Sequence, residues 1–230
     1  MSDAPADPQL ARLARLDSCA VSDALDALGI DGVIPGLAPR WEGARAVGRA
    51  VTMQLAPGPT PEGQPKLHLG VRAIASARPG NVIVVANEGR LDMGSWGGLL
   101  SVGAIAQGVA GVVTDGACRD IDEARQLGFP VFARGGAART ARGRIHEKSC
   151  GEPIVIGSVR VCTGDLILAD GTSVVAIAAA RADEVLAAAE QIAAKESAMV
   201  EEIRAGATLA SVLGVRYEDM LVKTAGEKHV

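Results

Sequence analysis

The chain lacks the features that define several large classes of protein. Its formal net charge is −4 at pH 7, which argues against general nucleic-acid binding because that needs clustered positive charge. The four cysteines and three histidines are too widely spaced for a zinc motif, so free thiols and no zinc are expected. No apolar run is long enough for a membrane span and no leader pattern opens the chain. We therefore expect a cytoplasmic protein with neither a nucleic-acid nor a membrane partner.

Features that divide a chain into several domains are also missing. The 230 residues contain no Ser/Pro-rich linker, no block of like charge and no repeat at solenoid periods. Hydrophobic residues make up 48% of the chain, which is enough for a sizeable core. We predict one domain over residues 9–222, with loose tails at residues 1–8 and 223–230.

The most informative segment is a strand–helix–strand pattern. Its predicted elements are, in order, a buried strand at 82–86, a helix from Trp96 to a C′ glycine at Gly108, a strand at 111–114 and a turn at Asp115-Gly116. The helix carries an apolar stripe, formed by Leu99, Val102, Ala106 and Val109. This order implies a parallel crossover, which brings the helix N-terminus and the loops after both strands to one sheet edge. Open α/β sheets bind ligands at that edge.

Three kinds of chemical group converge at this predicted edge. Backbone N–H groups at the helix start bind anions, and the glycines Gly97 and Gly98 allow close approach. Arg119 can hold a carboxylate through two parallel hydrogen bonds, and Asp120 is the kind of oxygen ligand that Mg²⁺ takes. Singly, the Arg-Asp pair also fits a solvated turn and the Gly pair a packing feature. Together they favour a site for a small, metal-chelating carboxylate such as a 2-oxo acid.

The rest of the chain predicts architecture. The predicted elements are a helix at 18–28 with Ser18 as N-cap, strands at 47–55, 153–156, 159–162, 166–169 and 174–177, and helices at 67–77 and 183–205. The four arginines between residues 134 and 144 fit either a solvated loop or a rim that attracts anionic substrates. Cys118 fits either a small packing residue or a thiol whose pKa Arg119 lowers.

Two motifs resemble the signature of a known family. They are Trp96-Gly97-Gly98-Leu99-Leu100 and Asp115-Gly116-Ala117-Cys118-Arg119-Asp120-Ile121-Asp122-Glu123. They are similar to the family that contains 4-hydroxy-4-methyl-2-oxoglutarate/4-carboxy-4-hydroxy-2-oxoadipate aldolases and the regulator of ribonuclease activity A. Shorter segments at 21–25, 77–82, 163–165 and 169–171 agree, so the resemblance covers about residues 10–215.

This resemblance implies a fold, an assembly and an activity. The fold is α/β, a single β/β/α swivelling-type domain with N- and C-terminal helices, assembled as homotrimers or homohexamers with sites at subunit interfaces. The activity is that of a class II pyruvate aldolase that uses Mg²⁺ or Mn²⁺. Such an enzyme cleaves a 4-hydroxy-2-oxo dicarboxylic acid to pyruvate, or decarboxylates oxaloacetate, through a metal-stabilised enolate. The alternative within the same family is a non-catalytic regulator that binds a ribonuclease.

The resemblance also implies residue roles. Asp120 would be the metal ligand, Arg119 would hold the pyruvyl oxygens and stabilise the enolate, and Glu196 would serve a neighbouring subunit's site. The substrate would be bound by the backbone of Gly97, Gly98, Leu99 and Leu100, with the two leucine N–H groups taking its carboxylate.

One position departs from the aldolase pattern. An Asp or Glu stands 21 residues before the arginine in those enzymes, where it handles a water that moves a proton, and here that residue is Gly98. General acid–base help of this kind is worth roughly 10² to 10⁴-fold in rate. The sequence leaves Asp92, Asp122 and Glu123 as alternatives for the role.

Overall fold

The structure is a computed structural model that describes residues 7–65 and 67–214. Its helices are α1 (Pro8–Leu13), α2 (Ser18–Leu28), α3 (Val71–Ser76), α4 (Gly98–Ala106), α5 (Ile121–Gln126), α6 (Ala182–Arg204) and α7 (Leu209–Val212). Its strands are β1 (Val33–Ile34), β2 (Ala38–Pro39), β3 (Ala46–Pro57), β4 (Val82–Ala86), β5 (Gly94–Trp96), β6 (Gly111–Cys118), β7 (Val131–Gly136), β8 (Ile145–Cys150), β9 (Ile154–Ile156), β10 (Val159–Val161), β11 (Leu166–Ala169) and β12 (Val174–Ile177).

A mixed sheet organises these elements. Its strand order is β1-β12-β11-β3-β4-β6-β7-β2, with β5 beside β6 and β8 beside β3. Strands β3, β4, β6 and β7 run parallel, whereas β11, β12, β1, β2 and β8 pair antiparallel with their neighbours. The β9–β10 hairpin forms a separate two-stranded sheet. The predicted α/β class is confirmed.

Strand β4 lies inside the sheet and is buried along its whole length. Ile83 and Val85 pack into a cluster with Trp96 and residues of α3, α4 and α5. Val82 and Val84 point to the other face, where the β9–β10 hairpin supplies the partners. Because both faces are covered, the strand is a continuous apolar run without polar alternation. Each fully buried side chain of this size contributes about 1.5–3 kcal/mol.

A third cluster joins helices α1, α2 and α6 to strands β11 and β12. The start of α1 corrects the predicted N-terminal tail. Asp7 caps the helix by accepting from the Gln9 N–H at 3.0 Å, and its Oδ2 accepts from Arg49 Nε at 2.8 Å. Residues 7 and 8 therefore belong to the folded domain, and residues 1–6 and the tail at 223–230 lie outside the described residues. No helix within the described ranges is long and apolar enough to cross a bilayer.

Helix α2 spans the predicted residues 18–28, but its predicted N-cap and the predicted start of α3 are wrong for local reasons. Asp17, not Ser18, caps α2, since its carboxylate accepts from the Ala20 N–H at 2.8 Å. Ser18 is the first helical residue, and its hydroxyl donates to Asp170 at 2.7 Å. The helix predicted at 67–77 begins only at Val71, because Gly70 adopts a φ of 83°.

Candidate functional site

The predicted crossover between β4 and β6 is confirmed, and it joins the two sequence motifs. The two strands pair in parallel, and α4 lies between them in the chain. The Arg119 N–H donates to the Trp96 carbonyl at 3.0 Å. The Gly98 N–H donates to Asp120 Oδ2 at 2.9 Å. The start of α4 and the end of β6 therefore meet at one edge of the sheet.

Two boundaries within this unit differ from prediction. Trp96 does not open the helix but ends β5, where its indole N–H donates to Ser101 Oγ at 3.0 Å. Strand β6 does not turn at Asp115-Gly116 but continues to Cys118. The Asp115 carboxylate is buried and accepts from the backbone N–H groups of Asn87 and Gly89. Burial raises the pKa of Asp115, and these hydrogen bonds only partly offset that rise.

The predicted apolar stripe of α4 does not face the core. Leu99 is 89% exposed and Val102 is exposed as well, whereas the buried face of the helix carries Leu100, Ser101 and Ala104. Spacing alone favoured the stripe, because nearly every residue of this helix is apolar or small. Tertiary packing instead selects the face that meets the cluster around Trp96.

Glycines make room for the Arg119 side chain. A Cβ on Gly97 would lie 2.9 Å from Arg119 Cγ, and one on Gly94 would lie 3.1 Å from the same atom. Real Cβ atoms rarely approach this closely, so the stem of Arg119 lies against bare backbone at both positions. The glycine of the first motif therefore positions the arginine of the second.

Arg119 and Asp120 form an open pair. The Arg119 Nε lies 3.3 Å from Asp120 Oδ2 and 3.4 Å from Oδ1, and both side chains are more than a third exposed. Within residues 7–65 and 67–214, the terminal guanidinium nitrogens of Arg119 donate to no protein acceptor. The backbone N–H groups of Leu99 and Leu100 also donate to no protein acceptor within these ranges. Free donors of two kinds therefore lie beside one carboxylate.

These groups line a cavity of about 350 Å³. Its lining residues are His68, Leu69, Gly94, Trp96, Gly97, Gly98, Leu99, Leu100, Arg119, Asp120, Glu123, Thr140, Ala141 and Arg142. Six of the seven residues predicted for the site are thus brought together, and their roles stay predictions. The seventh, Glu196, lines a separate groove between α6 and the α1–α2 segment. Burial, and then the carboxylates of Asp23 and Asp17, raise the pKa of Glu196.

The structure distinguishes among the alternatives left by the sequence. Of the three candidate carboxylates Asp92, Asp122 and Glu123, only Glu123 lines the cavity. Asp122 accepts from Arg125 at 2.8 Å instead. Of the four arginines between residues 134 and 144, Arg142 lines the cavity.

Sequence reasoning missed the contribution of one loop and gave the other, through its arginines, a place at the site only as one of two alternatives. His68 and Leu69 precede α3, and Thr140 to Arg142 precede β8. These five residues also line an adjoining cavity of about 570 Å³. The 68–69 loop carries no periodicity or motif that points to the crossover, whereas the arginines at 134–144 indicated a rim without indicating which of them reaches the cavity.

Cys118 is a packing residue. It is buried at the end of β6, and burial raises its pKa to about 11, so the thiolate is disfavoured. The alternative of an activated thiol is wrong. Within the described ranges, no group of three or more His, Cys, Asp or Glu side chains is arranged to hold a metal ion.

Comparison with known proteins agrees with this geometry. The family model described as RraA-like, Aldolase/RraA, matches residues 18–176, which include both motifs. The chain belongs to the RraA-like family. The matched region contains the crossover and all the residues of the 350 Å³ cavity.

Two curated relatives are similar over most of this chain. Protein DlpA of Legionella pneumophila is 32% identical over 200 residues, which are 87% of this chain but only 32% of that protein. The chain therefore spans about a third of the length of DlpA. A Halalkalibacterium halodurans protein with a provisional 4-hydroxy-4-methyl-2-oxoglutarate aldolase name is 34% identical over 183 residues, covering 77% of this chain and 80% of its own.

Solved structures support the fold of the family. An uncharacterized protein from Pseudomonas syringae has a TM-score of 0.81 and 35% identity, covering 90% of this chain and 96% of that chain. Streptomyces coelicolor RraAS2, described as an unusual member of the RNase ES inhibitor RraA protein family, has a TM-score of 0.74 and 25% identity, covering 90% and 100%. The α/β fold expected from the resemblance is confirmed.

Proposed function

We propose that the chain is a divalent-cation-dependent carbon–carbon lyase acting on 2-oxo acids. Its reaction would be retro-aldol cleavage of a 4-hydroxy-2-oxo dicarboxylic acid to pyruvate, with decarboxylation of oxaloacetate as an accompanying activity. The observation that carries the proposal is the convergence of free backbone N–H groups, an open guanidinium and a carboxylate in one cavity. A small 2-oxo acid offers the oxygens that these groups would bind.

The start of α4 would bind the substrate carboxylate. The Gly98 N–H is already taken by Asp120, which leaves the N–H groups of Leu99 and Leu100 for an anion. The positive end of the helix dipole reinforces binding there. The carboxylate next to the 2-oxo group would thus be anchored beside Arg119.

Arg119 would stabilise the charge that develops as the carbon–carbon bond breaks. Electrons from that bond flow into the 2-oxo group and place negative charge on its oxygen. The terminal nitrogens of Arg119 are free to donate to that oxygen, and the stem is held against Gly94 and Gly97. Such preorganised donors lower the barrier because they need no reorganisation during the reaction.

Asp120 would hold the cation. Its Oδ2 accepts from the Gly98 N–H, while the one contact of its Oδ1 with the described residues is that with Arg119 Nε at 3.4 Å. A carboxylate oxygen with unused lone pairs suits Mg²⁺ or Mn²⁺, which take further oxygens from water and substrate. When bound, the cation would supply Lewis-acid polarisation of the 2-oxo group.

The proposal is tested by measuring pyruvate release from oxaloacetate and from 4-hydroxy-4-methyl-2-oxoglutarate, each with Mg²⁺ and with a chelator. Cation-dependent release from the second substrate would support an aldolase, and Asp120→Asn should reduce it about 10²-fold or more. Release from neither substrate by the purified wild-type protein would overturn the proposal.

A protein-binding regulator is the second candidate function. It is favoured by the similarity to RraAS2, which is described within a ribonuclease-inhibitor family. The regulator hypothesis predicts that the purified protein inhibits an RNase ES-type ribonuclease without any divalent-cation requirement of its own. Asp120→Asn should leave that inhibition unchanged.

A homo-oligomer, trimer or hexamer, is also part of the proposal. The exposed face of α4 carries Leu99, Val102 and Ile105, a set of apolar side chains that a second copy of the chain could cover. Light scattering would measure the assembly. A monomer at micromolar concentration would contradict this part of the proposal.

A further inference from the structure

The Glu123 carboxylate fills the space that a side chain at position 98 would need. A Cβ on Gly98 would lie 1.9 Å from Glu123 Oε2 and 2.6 Å from its Cδ. The Glu123 carboxylate therefore lies directly against the backbone at the start of α4. A side chain at position 98 could be accommodated only if Glu123 moved away.

Glu123 also differs from the acidic residues around it. Within the described part of the chain, its carboxylate forms no hydrogen bond and no ion pair, whereas Asp120 accepts from Gly98 and Asp122 from Arg125. Glu147, in the adjoining cavity, is paired with Arg72 and the Gly70 N–H. Glu123 is therefore an uncommitted carboxylate that lines the 350 Å³ cavity together with Arg119.

We propose that Glu123 is a catalytic residue that transfers the proton during cleavage, an inference that rests on the proposed function. Its carboxylate would accept the proton of the substrate's C4 hydroxyl. The C3–C4 bond then breaks, its electrons form the enolate of pyruvate, and C4 becomes a carbonyl carbon. Glu123 returns the same proton to C3, which yields pyruvate and restores the carboxylate. The position suits this task because Glu123 reaches the cavity from α5 and its carboxylate lies against Gly98, next to the N–H groups that would anchor the substrate.

A base at Glu123 would matter for only one of the two reactions proposed for this cavity. Cleavage of a 4-hydroxy-2-oxo acid requires removal of a hydroxyl proton, whereas decarboxylation of oxaloacetate does not. Loss of the Glu123 base should therefore reduce cleavage far more than decarboxylation. General acid–base catalysis typically contributes roughly 10² to 10⁴-fold.

The first experiment measures both reactions in Glu123→Gln with Mg²⁺, with Asp122→Asn as the matched control on the same helical turn. We expect the ratio of cleavage rate to decarboxylation rate to fall about 10²-fold in Glu123→Gln, because a glutamine cannot carry the proton. The ratio should not change in Asp122→Asn. Exchange of pyruvate methyl protons in deuterium oxide, followed by NMR, should also slow in Glu123→Gln, since exchange needs a base at C3.

The second experiment moves the carboxylate. Glu123→Ala should lose cleavage, and adding Gly98→Asp to that variant should restore at least part of it, because the space at position 98 is then vacant. An active wild type with an unchanged ratio in Glu123→Gln would overturn the role of Glu123 alone. A wild type that releases no pyruvate from either substrate would overturn the proposed function and this inference together.

Discussion

Two arginine–carboxylate pairs show how the same chemistry serves different ends in this molecule. Arg12 donates to Glu190 through Nε and through a terminal nitrogen, each at 2.8 Å, and this bidentate pair ties α1 to α6. Arg119 approaches Asp120 only through Nε, at 3.3 to 3.4 Å. Both of these donor positions of the Arg12 guanidinium are therefore used within the protein. The terminal nitrogens of Arg119 remain available to a ligand.

The two pairs also differ in what surrounds them. The Arg12 pair lies over the apolar cluster that joins α1, α2 and α6 to β11 and β12. The Arg119 pair lies over glycines and faces a cavity. The Arg12–Glu190 pair joins two helices that are distant in the chain. Arg119 and Asp120 are adjacent residues at the end of β6, so the contact between them joins no distant segments. The first region is expected to affect stability and the second activity.

The largest effect is expected from Asp120→Asn. Asparagine tolerates the left-handed backbone of residue 120, whose φ is 57°, and it can still accept from the Gly98 N–H. The fold should therefore persist while kcat/KM for pyruvate release falls about 10²-fold or more, because the charge that holds the cation is lost. Asp183→Asn, which removes one contact of Arg12, is the control and should leave kcat/KM unchanged.

Arg119→Lys against Arg12→Lys compares the two pairs directly. A lysine cannot reproduce the guanidinium fork, so we expect about a 10²-fold loss of kcat/KM at position 119 with an unchanged Tm. Arg12→Lys should instead lower the Tm slightly and leave kcat/KM unchanged. Thermal melts and steady-state kinetics on both variants measure the contrast. Equal kinetic losses in the two variants would remove the distinction between the pairs.

A smaller effect is expected from Arg142→Glu. Arg142 lines both cavities, and reversing its charge should raise KM for a dicarboxylic substrate about 3- to 10-fold and weaken the dependence of KM on salt. Arg160→Glu, on β10 away from the cavities, makes the same change in net charge and serves as control. If both variants raise KM equally, the effect belongs to the net charge and not to a rim of the cavity.

The smallest effect is expected in the stability of the protein at acid pH. It depends on Asp170, which follows β11 and bonds to Ser18 at the start of α2. Burial favours a higher pKa for Asp170, but hydrogen bonds from Thr172, Ser18 and Ser173 outweigh it and lower the pKa below its usual value of 3.8. A lowered folded pKa stabilises the protein above the unfolded value, and this stability is lost as pH falls through the folded value. The free energy of unfolding in urea should therefore drop below about pH 4. Asp170→Asn should flatten that drop, and an unchanged profile would contradict the assignment.

Much of the fold was predictable because its signals are local. The apolar run of β4, the helix ending at Gly108 and the strand that follows imply a crossover, and parallel connections obey a handedness rule that places the ends together. The convergence of Gly97, Gly98, Arg119 and Asp120 follows from that rule alone. One error, the turn predicted at Asp115-Gly116, lies where a side chain bonds to distant backbone, since the Asp115 carboxylate accepts from the 87–89 loop.

The sequence by itself determined the α/β crossover, the glycine-rich helix start and the Arg-Asp pair, because periodicity and chain direction specify them. Only the tertiary structure decided which carboxylate reaches the cavity, which face of α4 is buried and which loops close the site. Glu123 lies against Gly98, and His68 and Arg142 join the cavity from distant segments. Such contacts depend on how helices and loops pack around the sheet, and no spacing within a single segment records that packing.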